Sequence, residues 1–298
     1  MDFLLGVNLT CFLLSYLVAL TAEVAQFVRC RTRTLQTVVF AAALAGLIAH
    51  TAYLIARFRS SGLPPLVGSS HDWLLVLAWL GVTLLLLLTF QTRSSQGIFL
   101  LPVVVLLVLL AISVDSGPAN VERSGAGRWW TMLHAASLVI GISLVAGASG
   151  SALMYLLQYR KLHGRITWVR RLRLPNLERL TAINYWLVMA CFPFLTAGLS
   201  TGFILTNATS DGNSTIWYDP IVWATVVVWV AMTYNLSLLV RTKAQTGRTV
   251  ARRTLLAGAF LLVTIFGLTF VTGGIHNGDS LTEPPLTSDL QQAKLSSE

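Results

Sequence analysis

The chain has 298 residues, 55% of them hydrophobic and only 11% charged, with a mean hydropathy of +0.70. A water-soluble domain carries about 25% charged residues, so this composition excludes an ordinary soluble globular protein and predicts an all-α integral membrane protein. The formal net charge of +9 does not point to nucleic acid, because the basic residues sort by side of the membrane once they are mapped.

Eight apolar runs follow one another, at roughly 3–26, 36–56, 72–90, 97–114, 129–157, 181–206, 217–240 and 254–273. Each can cross a hydrocarbon core of about 30 Å as a helix rising about 1.5 Å per residue, and each is too long for a barrel strand. The first run opens "MDFLLGVNLT", with an acid and no base, which predicts a retained helix rather than a cleaved signal peptide. Near its inner end Glu23 stands close to Arg29, where a snorkelling ion pair accounts for it. His50 lies inside the second run, and His71 is expected in the outer loop before the third. His134 follows Trp129 and Trp130 at the start of the fifth.

The sixth run contains "CFPFLTAGLSTGF". Pro193 there frees a backbone carbonyl or bends the helix. Gly198 and Gly202 form a small-xxx-small pair that permits close helix approach, and "GASGSA" at 147–152 offers a similar face on the fifth run. The seventh opens "STIWYDPIVWATVVVW" at 214–229. Trp217 and Tyr218 suit the membrane interface, Asp219 suits a helix cap and Pro220 suits the first helical position, so an ordinary border explains this stretch taken alone. His276 follows the eighth run, and residues 278–298, with "TEPPLTSDLQQ", read as a disordered outer tail.

Sixteen of the 21 Lys and Arg residues fall in the loops after odd-numbered runs, and ten of the 12 acids fall on the other side. By the positive-inside rule the first set is cytoplasmic, so eight transmembrane helices with both termini extracytoplasmic are expected. The basic loop 158–179 would lie on the anionic inner leaflet, where His163 is expected to be solvated. The chain divides into an N-terminal four-helix membrane region at 1–128 and a four-helix core at 129–277.

The three cysteines, Cys11, Cys30 and Cys191, form no CxxC, so a zinc site, a thiol redox pair and haem attachment to this chain are unsupported. No nucleophile–base arrangement, phosphate loop or carboxylate pair is legible, which predicts a protein that is not an autonomous enzyme. The histidines are more informative. His134, His276 and, deeper, His50 lie toward one outer level, beside the tryptophan-rich entry to the seventh run. Intramembrane ionisable groups usually have a partner or a task. Imidazole is a common ligand of haem iron, and two histidines on different helices can hold an iron between them. Trp129, Trp130, Trp217 and Trp223 can floor a flat porphyrin, with Arg123 and Arg128 near enough in sequence to meet its propionates. Bonded core or interfacial histidines and solvated arginines are equally open from these residues.

Four stretches carry a family resemblance: "LHAASLVIGISLVAGASGSALMYLLQYRKL" (133–162), "LPNLERLTAINYWLVMACFPFLTAGLSTGFI" (174–204), "WYDPIVWATVVVW" and "GGIHN". In this order they resemble the cytochrome c assembly domain, with an outer histidine, a tryptophan-rich signature and a second outer histidine. The first four runs are similar to its eight-helix, HemX-like branch. The resemblance implies haem handling, with b-type haem as cofactor. His134 and His276 are the implied axial ligands; Trp217, Tyr218, Asp219, Pro220 and Trp223 are the implied haem-facing platform. It further implies that His50 is a candidate for an inner haem site, that apocytochrome c or other maturation proteins are partners beside the lipid bilayer, and that the protein resides in a bacterial cytoplasmic membrane. Tyr218 stands where the family signature carries Trp, and Ile221 and Val222 replace its polar pair. These departures point to a haem-binding accessory of cytochrome c maturation rather than a complete synthase. A regulator or scaffold of haem biosynthesis is the alternative, and a small-molecule transporter is a third class.

Overall fold

The computed structural model describes residues 9–29, 32–61, 69–92, 97–114, 126–163, 174–209, 220–241 and 247–275. They form eight α-helices and, among the described residues, no strand: α1 (Leu9–Arg29), α2 (Arg33–Ser61), α3 (Ser70–Thr92), α4 (Gly97–Ser113), α5 (Ala126–Leu162), α6 (Leu177–Thr209), α7 (Pro220–Arg241) and α8 (Gly247–Ile275). Five contain segments long and apolar enough to cross a membrane: Leu9–Gln26, Arg33–Ser60, His71–Phe90, Trp129–Leu162 and Leu177–Leu205. Shorter apolar stretches occupy Gly97–Ser113 and Thr225–Ser237.

Helix is the form these runs take because a spanning segment must satisfy its backbone internally. Polar residues fix where several of them start. Thr32 caps α2 through Leu35 N–H at 3.2 Å, Ser69 caps α3 through Asp72 N–H at 3.2 Å, and Asn176 caps α6 through Arg179 N–H at 3.0 Å. These caps carry the helices beyond the apolar runs. Inside, hydroxyls donate back along their own helices, as Ser143 does to the Val139 carbonyl and Thr196 to the Phe192 carbonyl, both at 2.8 Å. α6 continues unbroken through Pro193, and α4 through Pro102.

Contacts at successive levels make α1–α2, α2–α3, α3–α4, α5–α6, α5–α8 and α7–α8 antiparallel pairs, and therefore α6 and α7 antiparallel as well. α5 is the hub: it packs most extensively on α6, then on α8 and α3, and touches α4. In lipid there is no hydrophobic drive between helices, so close van der Waals contact must hold them. Small residues supply it. Gly141 receives Leu195 of α6, Gly147 receives Leu84 of α3, and Gly258 of α8 lies against the Ser149 hydroxyl of α5. Ser149 in turn reaches the Thr254 carbonyl at 3.3 Å. The "GASGSA" face thus serves packing, as expected from sequence.

Two expectations are corrected or narrowed. His71 is not in a loop: the Ser69 cap starts α3 ahead of the apolar run, so His71 is buried in its first turn. Glu23 is buried against Gly97 and accepts from Gln26 Nε2 at 3.3 Å; the side chain of Arg29, its expected ion-pair partner, is outside the described ones.

Beside His71, Arg57 Nε donates to Asp72 Oδ1 at 2.7 Å, with side-chain exposures of 26% and 4%. Asp72→Ala is expected to cost roughly 2–3 kcal/mol, less than a fully enclosed pair because Arg57 keeps some solvent. The detergent-solubilised melting temperature should fall for Asp72→Ala and recover most of the way in Arg57→Met/Asp72→Leu, where no charge is stranded. A double variant as unstable as the single one would show the pair is not the source.

Candidate functional site

His134 sits on α5, a little over two turns from its N-terminal end, with a half-buried ring. Gly198 and Gly202 lie on the facing strip of α6: the missing side chain of Gly202 makes the slot that takes the ring, and that of Gly198 makes room for Leu138. A Cβ on Gly202 would fall 2.7 Å from His134 Cε1 and 3.0 Å from Nδ1. Within the slot, His134 Nδ1 lies 2.8 Å from the Gly198 carbonyl oxygen. A carbonyl only accepts, so Nδ1 carries the proton and donates it. The neutral ring then keeps its lone pair on Nε2, the nitrogen a metal would use.

The neighbouring helices bring other predicted residues to this level. Trp229 of α7 donates from Nε1 to Thr196 Oγ1 of α6 at 2.8 Å. Six residues further toward the His134 end on each antiparallel helix, about 9 Å, lie Gly202 and Trp223, so Trp223 shares the level of His134. It is 54% exposed. Trp130 is one turn before His134 on the same face of α5; Trp130 and Trp129 are both exposed, Trp129 at 74%. From the Ser149–Thr254 contact, counting outward along α5 and α8 reaches the level of His134 near residue 270 of α8. The C-terminal end of α8, after which His276 follows in sequence, is therefore on the His134 side of the bundle.

Trp217, Tyr218, Asp219 and His276 lie outside the described residues. Pro220 opens α7 as expected for a first helical position; its side chain and that of Arg128 are not among the described ones, and Arg123 lies outside the described residues altogether.

His50 is apart from this site. It is fully buried between α1 and α2, stacked on Phe12 with centroids 4.2 Å apart and planes 2° from parallel. Its Nδ1 is 3.2 Å from the Tyr16 hydroxyl, which reaches it because Gly46 has no side chain to meet the Tyr16 ring. Nε2 of His50 is buried and has no hydrogen-bond partner among the described residues.

His71, which sequence reasoning did not select, repeats the pattern of His134. Its Nδ1 donates to the Ala111 carbonyl at 2.6 Å, and its buried Nε2 has no hydrogen-bond partner among the described residues. The available signal was Ser69-x-x-Asp72, a helix-start pattern. His71 is not beside His50: the Trp79–Thr51 hydrogen bond sets the α2–α3 register and separates their levels by about 14 Å. No group of three or more His, Cys, Asp or Glu that could hold a bare metal ion occurs among the described residues. Haem makes a smaller demand, since its porphyrin fills four positions and the protein supplies one or two. A half-buried imidazole with Nδ1 bonded and Nε2 carrying the lone pair fits that demand.

Residues 66–276 match the family described as Cytochrome C assembly protein. The match takes in α3 and α4 as well as the four helices that carry the motif resemblance. Among curated proteins, the Cytochrome c biogenesis protein CcsA of Trieres chinensis is 24% identical over 253 residues, covering 74% of this chain and 80% of that protein. No solved structure matches the chain.

Proposed function

The chain belongs to the cytochrome c assembly protein family, membrane proteins of cytochrome c maturation, and from that premise we propose that it holds haem at the outer rim of its helix bundle. His134 and His276 would hold its iron. The segment Trp217, Tyr218, Asp219, Pro220 and Trp223 forms the apolar floor, with Trp129 and Trp130 beside it and Arg128 toward the propionates. The haem is b-type and non-covalent. The chain crosses a bacterial cytoplasmic membrane eight times with both termini outside, so the site faces the compartment where apocytochrome c is matured. The protein holds and presents haem and is not itself an enzyme; thioether formation belongs to the haem, the apocytochrome thiols and a partner. His50, with its bare Nε2, is the proposed ligand of a second, inner haem.

The observation that carries this reading is the His134 Nδ1–H bond to the Gly198 carbonyl, at 2.8 Å, with the ring seated over Gly202. It fixes ring orientation and tautomer before any ligand arrives, as outer-shell partners of metal-bound histidines do. The exposed Trp130 and Trp223 near that level add aromatic surface of the kind a porphyrin's face requires.

The test is purification in mild detergent followed by a pyridine haemochrome assay. Haem bound at up to one or two per chain, with a b-type spectrum, is the expected result. Protein that carries no haem and takes none up on titration sinks the proposal.

A further inference from the structure

At the bundle end opposite His134, the last turns of α5 and the first turns of α8 part around two adjoining cavities of about 470 and 620 Å³. Tyr159, Arg248, Arg252 and Leu256 line both; Arg160 and His163 complete the first, and Arg253 the second. No carboxylate is among the described residues that line them. The cations lean on rings instead: Arg248 lies 5.1 Å over Tyr159, and Arg253 5.1 Å over Tyr234. His163 stacks on the same Tyr159 ring and donates from Nδ1 to the Tyr159 carbonyl at 2.9 Å. Nη1 of Arg253 is buried and has no hydrogen-bond partner among the described residues.

A third cavity of about 300 Å³ runs between α7 and α8, lined by Val227, Val228, Ala231, Ala257 and Phe260 among others. It shares Arg253 and Leu256 with the second. Read down α8, every fourth residue on this side changes from charge to hydrocarbon: Arg248, Arg252, Leu256, Phe260. Leu256 and Phe260 are exposed.

Such a surface suits an amphiphile with an anionic head. Arginine forks held on aromatic faces match phosphate oxygens in pairs. The N-terminus of the 29-residue α8 adds its positive dipole. Basic pockets between membrane helices on the cytoplasmic side have this character. Free phosphate would use the charges but leave the apolar crevice unexplained.

We infer that this groove binds an anionic phospholipid, its phosphate at Arg248 and Arg252 and an acyl chain along the α7–α8 crevice. The inference is independent of the haem reading and reads out on lipid alone.

The experiment is native mass spectrometry of the full chain in mild detergent, with phosphatidylglycerol and phosphatidylcholine of the same acyl chains added at equal concentration. Phosphatidylglycerol should be retained about tenfold over phosphatidylcholine. Arg248→Gln/Arg252→Gln should lower that ratio to near one, while Arg59→Gln at the opposite end leaves it intact. Equal retention of the two lipids by the unaltered protein overturns the inference without recourse to any variant. So does a preference that survives the double substitution. Displacement by inorganic phosphate alone would reassign the groove to a free anion, and displacement by haem would reassign it to a haem site.

Discussion

Replacing His134 by alanine is expected to strip haem from the purified protein, weakening its retention by more than the roughly 10–100-fold that loss of an outer-shell partner costs a metal site. The reason is positional. His134 is the described histidine that combines a place near the N-terminal end of α5, at the level of Trp223, with a half-buried ring and a lone pair left on Nε2 by a carbonyl acceptor at Nδ1. Alanine removes the iron ligand and one hydrogen bond, whose net contribution to stability is only about 0.5–1.5 kcal/mol. The bundle should therefore persist, since the α5–α6 contact continues through Gly141–Leu195 and the Ser151–Asn184 pair. The readouts are Soret absorbance and pyridine haemochrome per protein, with melting temperature as the fold control. Added imidazole should restore much of the Soret band, because the emptied slot admits a free ring. His276→Ala should behave alike. Both variants retaining the spectrum of the unaltered protein would exclude this axial pair.

The helices were legible because lipid leaves a twenty-residue apolar run few alternatives to helix. What the runs did not reveal was how far polar caps extend them. Asn176 starts α6 at Leu177, ahead of the apolar run, and Ser69 draws His71 into α3. A hydropathy reading treats Ser, His and Asp as loop; the hydrogen bonds make them a helix start. The Gly198–Gly202 spacing announced close packing but not its occupant. Whether a leucine or an imidazole enters that slot depends on the α5–α6 register, which no local pattern carries. The charges of α8 were legible as membrane sidedness alone. That Arg248 lies over Tyr159, beside Arg160, required the two helix ends to meet. The tryptophan-rich entry at Trp217–Asp219 and His276 rest on their sequence motifs, being outside the described residues.

Gly202→Ala is expected to change the haem signature more than its single methyl group suggests. A Cβ there would lie 2.7 Å from His134 Cε1, inside van der Waals contact, and the ring cannot yield as a flexible chain end would. Either the imidazole turns and gives up the Gly198 carbonyl, or α5 and α6 separate along a strip held by close contact. The first is less costly, so haem affinity should fall about tenfold, within the range for disturbing a ligand's outer partner. Gly202→Val should go further and add an overpacking cost of about 1–3 kcal/mol. Gly198→Ala is the informative contrast. Its Cβ would meet Leu138 Cδ2 at 2.5 Å, the movable end of a side chain, and the carbonyl that orients His134 stays in place. Its haem spectrum should remain close to that of the unaltered protein, with a small loss of thermal stability. Low-spin electron paramagnetic resonance signals, sensitive to the orientation of the axial imidazoles, separate the two substitutions. If Gly202→Ala and Gly198→Ala leave those signals and the affinity equally untouched, the glycine slot does not orient an iron ligand, and the argument from the His134 tautomer fails even if haem is bound elsewhere on the chain.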